Sequence, residues 1–283
     1  MKKTGLVYIL VALVLSAAAM LLRSLELSTA IDEAGLWVFR PVTAVLIALT
    51  VLAAVFCFLA ARKCGRSGGT FMEEFCSLGL PGVICSGVCL LLQLYGAWLL
   101  FREWKGRGDV LELLLALLAG LAGAGWLCLR LGEWKGMQTR ASRFLGGSLV
   151  TLFFGFWLVV YYRDNAPEPT LLLTVYAFLA LCACSVAAYC VTGGAVGRLK
   201  PVKALIFCSL ALYLSMVALV GKEPMAYRLF WAAAAVQFAL SIIMFLSPLE
   251  RPAPVEEVPA DAGEDAPAAG ETEPPAAQET EGE

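Results

Sequence analysis

Three polar side chains stand inside long apolar stretches of this chain, where their chemistry would count: Gln93, Glu112 and Gln237. An ionisable group in a hydrocarbon layer is costly and by default points to function. Glu112 lies two residues past Val110, placed to snorkel to an interface or to pair with Arg102 or Arg107. A proton-coupling role is the sharper alternative. Gln93 and Gln237 can bond between helices or line a polar path, because an amide both donates and accepts. Outside the stretches, Glu26, Asp32 and Glu33 could hold a cation or simply flank a capped turn.

Other chemistry finds no residues to carry it. The chain has no His, which removes the usual intramembrane metal ligand and general base. No Asp lies within an apolar stretch and the one Lys, Lys203, stands at the edge of the seventh, so neither an aspartyl pair nor a Ser–Lys dyad is expected within the membrane. Ten Cys are present, but Cys85-x-x-x-Cys89 and Cys182-x-Cys184 lack metal-finger spacing and partners. None falls in an outer loop, so they are expected to be reduced, buried small hydrophobes. The glycine-rich stretches 64–70 and 193–198 lack the Gly-Lys-Ser/Thr ending of a phosphate loop and serve as connectors. Basic residues are scattered, which argues against nucleic-acid binding. No catalytic residue, metal or cofactor is expected.

The elements that position these side chains are apolar runs at 6–22, 41–61, 76–101, 110–131, 144–162, 170–192, 202–220 and 228–246. With 60% hydrophobic and 16% charged residues, a soluble domain is excluded. A helix needs about 20 apolar residues to cross the hydrocarbon core. Barrel strands are shorter and alternate, so each run is a helix that satisfies its own backbone. The fold class is all-α, an integral membrane bundle of eight transmembrane helices over residues 1–247. Pro81 is expected to bend the third span.

Residues 248–283 hold eleven acidic residues, one basic residue and seven prolines. This composition predicts a disordered acidic Pro/Ala-rich tail. Removing its charge of −10 from the overall −2 leaves the membrane domain at +8. With Lys2 and Lys3 inside, 13 basic residues fall on the cytoplasmic side and 8 outside, Arg23 among the latter and Arg130 among the former. That bias places both termini in the cytoplasm and the protein in a plasma (inner) membrane. The start Met1-Lys2-Lys3, with Ser16-Ala17-Ala18-Ala19 following, resembles a signal peptide, and cleavage would leave seven spans; the length of the run favours a retained helix.

Lipid gives helices no hydrophobic reason to associate, so small residues mark contacts. Ala116, Gly120 and Ala124 form such a face on the fourth span, with Ala119 and Gly123 alongside. Gly79, Gly82, Ser86 and Gly87 on the third span and Gly146, Gly147 and Gly155 on the fifth extend it, predicting that spans three to five form the packed centre. Trp37, Phe39, Trp98, Phe101, Trp104, Tyr161, Tyr162 and Tyr227 are expected to form an outer aromatic belt. Four spans on either side of loop 132–143 permit a tandem repeat.

In the outer loop 25–37, Thr29 and Asp32 have capping-box spacing and Gly35 can end a single helical turn. Leu25, Glu26, Thr29, Ala30, Asp32, Gly35 and Leu36 resemble a pattern of uncharacterised polytopic bacterial membrane proteins, Leu-Glu-x-x-Thr-Ala-x-Asp-x-x-x-Gly-Leu. The resemblance covers this loop and its flanks and implies no activity. The expected function is therefore a non-catalytic membrane subunit or regulator, meeting the lipid bilayer and a protein partner through the tail or inner loops. The alternative is a permease for a neutral or lipid-like substrate, lined by Gln93, Gln237 and the glycines of the third span.

Overall fold

A computed structural model describes residues 3–29, 41–64, 78–135, 140–165, 171–195 and 201–246. Eight apolar runs become eight helices: α1 Lys3–Thr29, α2 Pro41–Cys64, α3 Gly79–Arg107, α4 Val110–Lys135, α5 Arg140–Asn165, α6 Leu171–Ala195, α7 Pro201–Leu219 and α8 Met225–Leu246. All eight are long and apolar enough to cross a membrane, and no strand occurs among the described residues. The chain divides into two units, Met1–Glu250 and Arg251–Glu283; the tail lies outside the described residues.

Several boundaries follow from backbone chemistry. Pro41 and Pro201 open their helices, where a missing N–H removes no internal bond. Pro81 belongs with them. Because α3 begins at Gly79, the proline stands in the first turn, where no bend is required. Gly108 ends α3 with φ 73°, a left-handed geometry suited to glycine, and its N–H donates to the Trp104 carbonyl. Asp109 then accepts the Leu111 N–H at 3.0 Å and caps α4. Its carboxylate also pairs with Arg163 on α5. The tripeptide Arg107-Gly108-Asp109 is thus a helix–helix turn.

Helices α3 to α7 pack in succession, and α8 closes the arc by packing on both α7 and α3. Its side chains also reach α4 and α5, with Phe238 edge-on to Trp126 and the Trp231 ring tilted against Trp157 at 4.4 Å. The α1–α2 hairpin lies against α7. The expected centre moves accordingly. In their membrane windows 67% of α8 and 61% of α7 is buried, against 28% of α3 and 44% of α4 and α5. Alanine, serine and cysteine, not glycine, make this possible: Ala204, Cys208, Ala211, Ser215, Ala226, Ala233 and Ala234 are all buried. The grouping is two helices plus six, and α4 packs on α5 across the boundary of the expected four-plus-four repeat.

Candidate functional site

Glycine-mediated contacts fall on chosen turns of α3, α4 and α5. A Cβ on Gly125 would stand 2.7 Å from the Gly146 carbonyl oxygen, so the two backbones touch. Gly147 faces the Thr192 hydroxyl on α6, and Gly96 admits the Phe230 ring. On the expected face of α4, Ala116 is buried, Gly120 half-buried beside Leu94, and Ala124 exposed. That stripe is therefore not the tight contact; the close approaches are two, Gly123 against Gln93 and Leu90 of α3 and Gly125 against Gly146 of α5. Gly87 and Gly155 meet open space.

Near the Thr29 end of the bundle, charge is buried. Arg23 and Glu26 pair at 2.5 Å along α1, and the guanidinium lies 5.0 Å from the centre of the Tyr176 ring on α6. Both residues are about 2% exposed. This corrects two expectations. Arg23, counted with the outer basic residues, is buried in α1 instead of standing in a loop, and Glu26, read as part of the outer loop, belongs to α1, which runs on to Thr29. Thr29 is itself helical and its hydroxyl donates to the Leu25 carbonyl at 2.8 Å, so it does not begin a capping box. Asp32, Glu33 and Gly35 lie outside the described residues.

The same end gathers further polar groups. Tyr161 on α5 donates to Glu223 in the α7–α8 turn, and Tyr227 sits between the Tyr161 and Trp157 rings. Tyr161 and Tyr227 are buried, so they leave the expected belt, whereas Trp98, Phe101 and Tyr162 are exposed. Trp37 and Phe39 are outside the described residues. Glu112 is 6% exposed and faces the interior instead of snorkelling. Arg102 lies over the Trp98 ring of its own helix.

A second polar column follows the seam of α3, α4 and α8. Ser86 donates to Gln237 Oε1 at 3.2 Å, and Gln93 projects from α3 against Gly123 of α4. Toward the Leu246 end, Arg130 donates to Ser241 Oγ at 2.8 Å and to Met244 Sδ at 2.9 Å, with Trp126 beside it. Arg130 is 3% exposed, so it is a buried link between α4 and α8, not an interfacial anchor. Gln93 and Gln237 share the seam without bonding to each other.

Residues the sequence pointed away from were Arg23, Arg130, Tyr161 and Glu223. A signal existed for the first: the apolar run resumes after Arg23 and supplies a carboxylate three residues on, the spacing of helical neighbours. Among the described residues no group of His, Cys, Asp and Glu could hold a metal ion. The contacts described hold helices together.

The fold and these sites define a multi-pass, all-helical membrane protein. The chain gives no significant match to protein-family models, curated proteins or solved structures.

Proposed function

We propose that this chain is a non-catalytic subunit or regulator of a membrane assembly. The observation that carries the reading is the use of polarity inside the bundle: buried Arg23, Glu26 and Arg130, and half-buried Glu223, each engage another protein side chain. Transport of a charged solute needs intramembrane groups that exchange partners with the traveller. Here these charges are committed to contacts that hold α1, α4, α5 and α8 in place, and aromatic rings fill the space between α4, α5 and α8.

The bias of basic residues supports a plasma (inner) membrane location with both termini cytoplasmic. An even number of spans agrees with termini on one side. In that orientation the acidic tail 248–283 and the basic inner loops face the same compartment and offer a partner two charged surfaces. The outer-loop pattern supports a place among polytopic bacterial membrane proteins.

The test is native mass spectrometry of the full chain extracted with its own lipids. A stoichiometric protein partner is expected, lost when residues 248–283 are removed if the tail is the contact. A retained small molecule without any protein partner would overturn this reading in favour of the permease, whose amides at Gln93 and Gln237 would then line the path.

A further inference from the structure

The seam between α3, α4 and α8 contains two buried amide atoms with no hydrogen-bond partner, Gln93 Oε1 and Gln237 Nε2. Each residue is 1% exposed. Their directions are constrained. Ser86 donates to the Oε1 of Gln237, so the Nε2 of the same amide also lies in the α3–α8 contact. Gln93 Oε1 lies 2.4 Å from where a Cβ on Gly123 would stand, which puts it in the α3–α4 contact. Gln93 follows Ser86 by seven residues, two helical turns along the same face of α3.

The column continues through the backbone. Ser241 donates to the Gln237 carbonyl at 2.9 Å and accepts from Arg130. Amide groups buried in an apolar interior normally have a partner, and one left unmade costs the desolvation of the group. The free atoms are one acceptor and one donor, with a guanidinium at one end of the column. A cation would suit Gln93 Oε1 but meet Arg130; an anion would suit Arg130 and Gln237 Nε2 but not the Gln93 carbonyl. A hydroxyl both donates and accepts and carries no charge.

We infer that this three-helix seam binds small neutral hydroxyl-bearing molecules, water or a short polyol, on Gln93 and Gln237. Gly123 is the opening in α4 that lets the Gln93 amide reach the site. The inference concerns binding and holds with or without a protein partner.

Gln93→Met tests it, because Met keeps the length of the side chain while Gln93 has no hydrogen bond to a described residue to lose. Thermal unfolding of the full chain in lipid nanodiscs is compared for wild type and variant, with and without glycerol. A lower Tm for Gln93→Met is expected. A glycerol-dependent rise in the wild type that the variant lacks assigns a polyol; equal responses to glycerol assign water. A variant Tm equal to or above the wild type shows a dry carbonyl and overturns the inference. Gln237→Met also loses the Ser86 bond, so its loss must exceed that of Ser86→Ala. A cryo-electron-microscopy map that resolves waters gives an independent readout: density within hydrogen-bond distance of Gln93 Oε1 is expected, and its absence overturns the inference whatever the Tm.

Discussion

Arg23 and Arg130 are both buried guanidiniums, each about one and a half turns from the end of its helix, but the bundle accommodates them differently. Arg23 pairs with a carboxylate on its own helix and rests on a tyrosine ring of α6. Arg130 gives its hydrogen bonds to a hydroxyl and a thioether on another helix and rests beside a tryptophan of its own. The first arrangement brings a neutralising charge with α1 itself, so the helix can dock as a unit. The second spends its donors across a helix interface, tying α4 to α8. One charge is balanced within an element; the other joins two.

The contrast can be broken most forcefully at Glu26. Glu26→Leu takes from the buried Arg23 guanidinium the carboxylate of its own helix, and a loss of about 3–5 kcal/mol is expected in unfolding measured in lipid or detergent. At the other end, Ser241→Ala removes one neutral acceptor of a charged donor, with an expected loss of about 1.5–3 kcal/mol. If the two losses were equal and both small, the distinction between a pair within one helix and a link between two would have no energetic content.

Glycine contacts sharpen the comparison with an uncharged reference. Gly125→Ala drives a methyl group against the Gly146 carbonyl and should cost about 1–3 kcal/mol, because backbone must move. Gly87→Ala, facing open space on α3, should stabilise by about 0.5–1 kcal/mol through helix propensity alone. Equal effects at the two positions would show that α4 and α5 do not touch where the structure places them.

These particulars also show what was legible beforehand. Run lengths alone located all eight helices, since a lipid-spanning segment has little freedom except to be a helix. The inward face was not legible, for a physical reason. A helix apolar all round carries no periodicity to mark its buried side, so Ala116, Gly120 and Ala124 looked like a seam although Ala124 is exposed. The centre at α7 and α8 was hidden because alanine and serine pack closely without the conspicuous spacing of glycine. Arg23 and Arg130 were legible only as members of the charge bias, because a charge normally ends a span. A carboxylate three residues away on α1, and acceptors on a helix more than a hundred residues away from Arg130, reverse that expectation. Gln93 and Gln237 were legible as polar contacts, but their separate neighbours, Gly123 and Ser86, depend on how α3, α4 and α8 meet.

The most direct test of the claim that buried charge here fastens the bundle is a double-mutant cycle on Arg23→Leu and Glu26→Leu, read by unfolding in nanodiscs. The account predicts that each single variant is strongly destabilised and that the double variant recovers much of the loss, because neither member of the pair is then buried without the other. Single variants as stable as the wild type, or a double variant whose loss is the sum of the two, would contradict it.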